Sequence, residues 1–362
     1  MNTASRAFVT SIVSEIEPPS ESWLAQARAH LDGLTKPLGS LGMLEDIAAQ
    51  IVSIRQKDFA KPLRKAVYVF AADHGIIAEG VSAYPGDVTR QMVLNFLDKG
   101  AAINVLAKLH GAEMNVVDVG VDAHFDGVDG LLDCKIRKGT RNMLREAAMT
   151  DAELAQAIEV GSRLAAEART RGYSLLAVGE MGIGNTTAAS AITSVLTNEP
   201  VALVTGKGTG LDADAQAHKR QIIETVIRKH FPTVGIDSST HPLEILRCVG
   251  GLEIAAMTGL ILGAARSRIA VVADGFISTA AAAIAFAIAP LVRGYLFAGH
   301  RSEEPGHRVL LEYIGLKPIL SLNMRLGEGT GAVLAMPIIE SALALYKEMA
   351  TFASAGVSEA KS

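Results

Sequence analysis

The segment 179–187 reads Gly-Glu-Met-Gly-Ile-Gly-Asn-Thr-Thr and directly follows a short apolar run. A glycine-rich turn between a strand and a helix lets backbone N–H groups bind a phosphate at the helix N-terminus. Its first and third glycines and Thr186 nearly match the Walker A pattern, but Asn185 replaces the lysine that would reach the β- and γ-phosphates. The segment therefore predicts a site for a phosphate monoester rather than for a nucleoside triphosphate.

Two glutamates lie among glycines: Glu180 in that segment, and Glu328 in residues 326–332, which read Leu-Gly-Glu-Gly-Thr-Gly-Ala. Desolvation would raise the pKa of Glu328 and make it a better base near neutral pH. The alternative is an acid that caps the helix after it. The negative charge of Glu180 would repel a phosphate bound by the same loop, unless the carboxylate faces a cationic or hydroxylated part of the ligand.

A second glycine-rich loop, Gly206-Lys-Gly-Thr-Gly210, precedes a predicted helix that carries Lys219. We interpret this loop as a second anion contact, and the alternative is an ordinary turn with Asp212 as the helix N-cap. Taken alone, Lys219 is typical of a solvated helix face.

Further polar residues follow predicted strands. Asp274 would either accept hydrogen bonds from ribose hydroxyls or cap the next helix, and Ser302 would bind phosphate. His300 and His307 lie close to acidic residues, but their spacing does not match a two-histidine metal motif on a helix. We predict no metal and no cofactor. Residues 80–92 fit either a flat apolar ligand pocket or an ordinary loop before a helix.

Apolar runs that alternate with helical patterns predict an α/β fold, with a doubly wound, mostly parallel, Rossmann-like sheet and helices on both faces. The predicted strands are 66–72, 114–121, 174–178, 201–205, 269–273 and 295–298. The predicted helices are 88–110, 151–171, 212–229, 252–266 and 278–289. Loops at the carboxyl ends of parallel strands meet at one edge of the sheet, so we expect the glycine-rich loops to form one ligand site there.

Composition excludes several classes of protein. The 362 residues are 49% hydrophobic and 20% charged, with a net charge of −4. No long basic run is present, so we predict no nucleic-acid partner. The two cysteines form neither a disulfide framework nor a zinc-ligand spacing, which fits a cytoplasmic protein. The uncharged stretch 275–292 is rich in alanine, and we interpret it as a buried helix rather than a membrane span.

Segments that run in order over nearly the whole chain resemble one family, the nicotinate-nucleotide–dimethylbenzimidazole phosphoribosyltransferases of the cobalamin lower-ligand pathway. The segments that carry the resemblance are Thr35-Lys-Pro-Leu-Gly-Ser-Leu-Gly42, Ala72-Asp-His-Gly75, Gly179-Glu-Met-Gly-Ile-Gly-Asn-Thr-Thr187, Gly206-Lys-Gly-Thr-Gly210, Gly250-Gly-Leu-Glu-Ile-Ala255, Asp274-Gly-Phe-Ile-Ser-Thr279, Gly299-His-Arg-Ser-Glu-Glu-Pro-Gly-His307 and Gly327-Glu-Gly-Thr-Gly331.

The resemblance implies that phosphoribosyl passes from nicotinate mononucleotide to 5,6-dimethylbenzimidazole with inversion, giving α-ribazole 5′-phosphate and nicotinate without a metal. It implies that Glu328 takes the benzimidazole proton, and we assign Glu180 to steady the positive charge that develops on the ribose. The residues expected to hold the phosphate and ribose are Gly182, Gly184, Asn185, Thr186, Gly208, Gly210, Lys219, Asp274 and Ser302. Those expected to flank the benzimidazole are Ser82, Tyr84, Gln91 and Leu326.

The resemblance also implies a small helical domain built from both chain ends, and a homodimer with composite active sites. We accordingly expect an N-terminal helical part (1–60), a large α/β domain (61–310) and a C-terminal helical part (311–362) that carries the Glu328 loop. Two other functions stay open on the residues alone. One is a non-catalytic nucleotide-binding regulator, and the other is a P-loop-like nucleotide kinase or hydrolase, against which Asn185 counts.

Overall fold

The computed structural model describes residues 3–208, 210–232 and 241–358. The strands within these residues are β1 (Lys65–Ala72), β2 (Ala112–Gly120), β3 (Leu131–Asp133), β4 (Leu175–Met181), β5 (Ala270–Ala273), β6 (Leu296–His300) and β7 (Pro318–Leu320). They form one seven-stranded sheet in the order β3-β2-β1-β4-β5-β6-β7, and all of these neighbouring strands pair in parallel.

This strand order confirms the predicted fold class. The chain adds β2 and β3 on one side of β1, and then adds β4 to β7 on the other side. In such a doubly wound sheet a crevice opens at the carboxyl ends of the two strands where the direction of winding reverses. Here those strands are β1 and β4, and β4 leads into the glycine-rich segment at its carboxyl end.

Helices cover the sheet in two groups. The helices in the described residues are α1 (Thr3–Ser14), α2 (Glu21–Asp32), α3 (Met43–Arg55), α4 (Asp87–Leu97), α5 (Ala102–Leu109), α6 (Asp151–Thr170), α7 (Asn185–Thr197), α8 (Val201–Val204), α9 (Ala213–His230), α10 (Pro242–Val249), α11 (Leu252–Arg266), α12 (Phe276–Ile288), α13 (Pro305–Ile314), α14 (Thr330–Glu348) and α15 (Phe352–Ala355). One group contains α6, α11 and α12, and the other contains α3, α5 and α14. Because both faces are covered, β1 and β4 are apolar and almost entirely buried.

The predicted strand 201–205 is wrong, because residues 201–204 form the short helix α8. Val201 and Val204 are buried while Leu203 is 58% exposed, so the buried positions recur every three residues and not every two. A short apolar run does not distinguish the two structures by itself. The loop that begins at Gly206 therefore follows a helix and not a strand.

Two further differences concern the number of helices and strands. The predicted helix 88–110 is two helices, α4 and α5, because the chain turns at Lys99, whose φ is +63°, and at Gly100. Strands β3 and β7 were not predicted, since each has only three residues and neither is fully buried. The predicted helix 252–266 coincides with α11.

The uncharged stretch 275–292 forms α12, whose residues up to Ala285 are all buried. Its small side chains suit a helix packed between α7, α11 and α13. Across the described residues, no helix combines the length and apolarity that crossing a membrane would need.

The N-terminal and C-terminal regions of the chain contact each other. Leu34 and Thr351 form an antiparallel bridge, and His30 Nε2 lies 2.8 Å from the carbonyl oxygen of Tyr346. β7 lies within 311–362, so the sheet continues past residue 310 into a segment that was expected to be helical. The division into 1–60, 61–310 and 311–362 stays a prediction.

Candidate active site

A cavity of about 380 Å³ lies at the carboxyl edge of the sheet, where β4, β5 and β6 end. The sequence-predicted residues that line it are Tyr84, Glu180, Gly182, Asn185, Thr186, Gly208, Asp274, Ser302, Leu326 and Glu328. The predicted residues that lie outside its lining are Ser82, Gly184, Gln91, Gly210 and Lys219. Segments far apart in sequence thus converge on one site, as parallel topology requires.

One end of the cavity is suited to an anion. Thr186, in the first turn of α7, accepts a hydrogen bond of 2.7 Å from Nζ of Lys219, which lies directly behind it. Lys219 is only 1% exposed, so it is not the solvated lysine that its helix alone suggested. Burial lowers the pKa of its ammonium to about 8, against the opposing effect of Glu304. A buried cation behind a helix N-terminus favours binding of a negatively charged group.

Glu304 is a site residue that sequence reasoning considered only for a metal. It lines the cavity and is 8% exposed, with its carboxyl pKa raised by burial and lowered by Lys219 and by the backbone N–H of Gly208. A Cβ atom on Gly206 would overlap the Glu304 carboxylate and approach Cδ of Pro305, so a side chain there would displace Glu304. Glu304 thus links the second glycine-rich loop to Lys219.

The backbone around Glu328 is unusual. Gly327, Glu328 and Gly329 have φ angles of +84°, +64° and +92°. This left-handed conformation is ordinary for glycine but strained for glutamate, and such strain is concentrated at functional sites. The turn also packs onto β4, because a Cβ atom on Gly179 would overlap the backbone of Glu328. The glycines around both glutamates therefore permit the two segments to touch.

The carboxyl group of Glu328 is poised to accept a proton. The backbone N–H of Ile103 binds it, while its Oε2 atom is buried and has no hydrogen-bond partner among the described residues. Burial raises the carboxyl pKa to about 7, and the negative charge of Asp274 adds to this increase. A buried oxygen without a partner is ready to accept a hydrogen bond from a ligand.

Glu180 is the last residue but one of β4 and reaches the same cavity. Its carboxylate accepts a hydrogen bond from Nδ2 of Asn185, so this amide is directed at Glu180. Burial raises the pKa of Glu180 to about 8, and Glu253, Asp274 and Glu328 add to the increase through their charges. A cluster of carboxylates away from water favours a cationic ligand group beside it.

Two hydrogen bonds explain why His307 is buried at this position. Its Nδ1 accepts the backbone N–H of Ser302 at 2.9 Å, and its Nε2 lies 3.0 Å from Oγ1 of Thr279. Burial lowers its pKa to about 3, and the neighbouring His300 lowers it further. A neutral imidazole with both nitrogens engaged shapes the Ser302 loop. In the described ranges 3–208, 210–232 and 241–358, no three His, Cys, Asp or Glu side chains are grouped so as to hold a metal ion.

Part of the cavity lining is apolar. Val88 and Met92, one turn apart on α4, contribute to it, and Tyr84 and Leu326 are partly exposed at 53% and 55%. Phe276 also lines the cavity, and its ring lies beside Gly306. Val88 and Met92 lie within residues 80–92, which the sequence suggested as a possible apolar ligand pocket, although neither residue was singled out. Sequence reasoning assigned no role to Phe276, whose apolar side chain at the start of a helix is equally typical of a core. This part of the lining can accommodate a flat apolar ring.

A buried ion pair lies next to the glycine-rich segment 179–187. Nε2 of His74 lies 2.7 Å from Oε1 of Glu253, and both side chains are inaccessible to solvent. A Cβ atom on Gly182 would lie 3.5 Å from the His74 ring. The sequence marked Ala72-Asp-His-Gly75 as a family segment but predicted no role for its histidine.

Replacing Glu180 by Gln is expected to stabilise the protein in alkaline solution. The folded-state pKa of about 8 lies above the ordinary value of 4.5. The stability contributed by protonated Glu180 is complete below about pH 4.5 and is lost as the pH rises through about 8. E180Q should therefore melt a few degrees above the wild type at pH 9, and at nearly the same temperature at pH 5. Thermal melts over this pH range test it, with exposed Glu159→Gln as the control.

Comparison with known proteins identifies the family. A family profile described as "Phosphoribosyltransferase" matches residues 16–357. The enzyme named nicotinate-nucleotide–dimethylbenzimidazole phosphoribosyltransferase in Geobacter sp. (strain M21) is 51% identical over 350 residues, which cover 97% of this chain and 99% of that protein. Its namesake in Geobacter metallireducens is 50% identical over 354 residues, covering 98% and 99%.

Solved structures agree with this result. The crystal structure of CobT from Thermus thermophilus superposes with a TM-score of 0.88 at 46% identity, covering 94% of this chain and 100% of that one. A second structure from the same organism, described as the nicotinate-nucleotide–dimethylbenzimidazole phosphoribosyltransferase, gives a TM-score of 0.87 at 44% identity, again with 94% of this chain and 100% of that one covered. The chain therefore belongs to the nicotinate-nucleotide–dimethylbenzimidazole phosphoribosyltransferase family.

Proposed function

We propose that this protein transfers the phosphoribosyl group of nicotinate mononucleotide to 5,6-dimethylbenzimidazole with inversion, giving α-ribazole 5′-phosphate and nicotinate. The observation that carries the proposal is that three kinds of chemical group meet in one cavity. Buried Lys219 bonds to Thr186 at the phosphate end, the carboxyl groups of Glu180 and Glu328 reach the cavity, and Val88 and Met92 give it an apolar surface. These groups suit the phosphate, the ribose and the aromatic base of the product.

The phosphate end suits a monophosphate. Thr186 and Gly208 line it, and Ser302 is held there by His307. Lys219 supplies one positive charge to this end from behind Thr186. It differs from a Walker lysine because it arrives from α9 rather than from the loop itself. A nucleoside triphosphate would need a group that extends along the β- and γ-phosphates, and Asn185 is instead directed at Glu180.

The carboxyl groups suit the reaction at the anomeric carbon. Glu328 removes the N–H proton of the benzimidazole, and the freed nitrogen forms a bond to C1′ from the face opposite nicotinate. The bond from C1′ to the pyridinium nitrogen breaks, and its electron pair neutralises the departing ring. Glu180 faces the positive charge that develops on the ribose. Because the leaving group departs as a neutral ring nitrogen, we propose that no metal is needed.

We propose further that the protein is a cytoplasmic homodimer. Val105 and Leu109 lie one turn apart on α5 and are 60% and 71% exposed. Two large apolar side chains exposed on one helix face support a subunit interface. Neither Cys134 nor Cys248 forms a disulfide, which fits a reducing compartment. Analytical ultracentrifugation tests the dimer, and a monomer at micromolar concentration would contradict it.

The decisive experiment incubates the pure protein with nicotinate mononucleotide and dimethylbenzimidazole in the presence of EDTA. We expect α-ribazole 5′-phosphate, identified by its mass and by the NMR signal of its anomeric proton. A β-configured product would overturn the inversion, and activity restored only by added Mg²⁺ would overturn metal independence. Nucleotide binding without any product would favour a regulator, whereas ATP turnover with Mg²⁺ would favour a kinase or hydrolase.

A further inference from the structure

Each oxygen of the Asp274 carboxylate accepts a hydrogen bond from the backbone. Asp274 follows β5 and is 1% exposed. Its Oδ2 accepts the N–H of Gly329 at 3.1 Å, and its Oδ1 accepts the N–H of Ala332 at 3.0 Å. The sequence left open whether Asp274 binds ribose hydroxyls or caps the next helix. It caps a helix, but that helix is α14, which begins more than fifty residues later in the chain.

The helix that Asp274 caps lacks a cap of its own. The N-cap residue of α14 is Gly329, which has no side chain to accept the first N–H groups of the helix. Glu328 immediately precedes this residue, in the strained left-handed turn. The carboxylate of Asp274 therefore replaces the missing cap and ties the turn of Glu328 to the end of β5.

A second hydrogen bond restrains the same turn. Oγ1 of Thr330 donates to the carbonyl oxygen of Gly327 at 2.8 Å. Together with Asp274, this bond holds both sides of the turn that presents Glu328. A strained conformation persists only where its surroundings determine it, so loss of either restraint lets the glutamate leave its position.

We propose that Asp274 is a positioning residue for Glu328, which it holds in place by capping α14, and that it is not a ligand of the nucleotide. This inference rests on the proposed function, because it takes Glu328 as the base. Misplacement of a reacting group by about 1 Å lowers a rate by about 10²-fold. Loss of the cap therefore lowers kcat, while nucleotide affinity is retained.

The charge of Asp274 gives a second readout. Among the described residues, its carboxylate interacts electrostatically with His300 from β6, whose Nε2 lies 3.7 Å from Oδ1, with Glu180 from β4 and with Glu328 from the turn itself. The negative charge of Asp274 raises the pKa of Glu328. Removing that charge should move the acidic limb of the pH–rate profile to lower pH, an effect that a purely structural residue would not produce.

The experiment compares Asp274→Asn with the wild type. We expect kcat to fall about 10²-fold, the Kd for nicotinate mononucleotide from calorimetry to change less than about threefold, and the acidic limb to move to lower pH. A Kd raised tenfold or more with kcat retained would identify Asp274 as a nucleotide ligand and overturn the proposal. An unchanged pH profile would overturn it as well.

A second variant covers the case in which Asp274→Asn does not fold. Thr330→Val keeps the shape of a buried side chain outside the cavity lining. It removes the side-chain hydrogen bond to Gly327 and leaves the backbone N–H of Thr330 bonded to the same carbonyl oxygen at 3.1 Å. We expect it to lower kcat at an unchanged Kd, with activity rescued by Thr330→Ser. A Thr330→Val enzyme with wild-type kcat would show that fixing the turn does not matter. Failure of the proposed function is separate, since it would already appear as a wild type without product.

Discussion

Replacing Glu328 by Gln is expected to lower kcat by about 10²–10⁴-fold, the range that a general base contributes, with little change in the KM for nicotinate mononucleotide. Glutamine has nearly the same shape, but its amide cannot take the proton of the benzimidazole. The buried Oε2 atom of Glu328, which has no hydrogen-bond partner in the part of the chain that the structure describes, is the position where that proton would be received. Steady-state kinetics with both substrates varied measure the effect.

The pH dependence provides an internal check on the same residue. Burial raises the pKa of Glu328 to about 7, and only the ionised carboxylate can act as a base. The kcat/KM of the wild type should therefore rise with pH through about 7, and it should fall again above about 8, where Lys219 loses its charge. The residual activity of Glu328→Gln should lack the acidic limb.

A matched control lies on the same helix. Glu348 is at the exposed C-terminal end of α14, and Glu348→Gln should retain wild-type kinetics. A Glu328→Gln enzyme with full activity and a normal melting temperature would exclude Glu328 as the base. That result would move the proton acceptor to Glu180, which lines the same cavity.

Replacing Lys219 by Met is expected to raise the KM for nicotinate mononucleotide by about 10–100-fold, since hydrogen bonds to charged groups contribute about 1.5–3 kcal/mol. The change in kcat should be small, because the phosphate does not react. The buried ammonium gives Thr186 its hydrogen bond and supplies positive charge behind the phosphate end. Methionine fills a similar volume without the charge, so the fold should be retained.

A substrate without phosphate isolates this effect. Nicotinate riboside lacks the group that Lys219 attracts, so Lys219→Met and the wild type should bind it equally well. Arg228→Met provides the control, since Arg228 is exposed near the end of the same helix, α9. Equal losses of affinity for the nucleotide and the riboside would contradict a role toward the phosphate and indicate a general disturbance of the site.

Much of the fold could be predicted from local patterns. Long apolar runs such as β1 and periodic helices such as α11 are determined by residues close in sequence, and their alternation implies a parallel sheet. The parallel sheet in turn requires the loops at its carboxyl edge to meet. The types of Glu180 and Glu328, and the glycines beside them, therefore indicated one site before any geometry was available.

Short elements could not be predicted in this way. The run 201–205 predicts a strand, but residues 201–204 form the helix α8. Four apolar residues fit either periodicity, and only their packing decides between the two structures. β3 and β7 are equally short, and pairing with a neighbouring strand makes them part of the sheet. Local propensity is weak over three to five residues, so tertiary contacts determine the outcome.

The sequence by itself determined which chemical groups the site contains, because glycine-rich turns and isolated carboxylates are local features. Only the tertiary structure decided how they are used. It buried Lys219 behind Thr186, directed Asn185 at Glu180, and brought Asp274 to the start of a helix far along the chain. Burial and long-range hydrogen bonds set charge state and orientation, and both depend on neighbours that a linear sequence does not place.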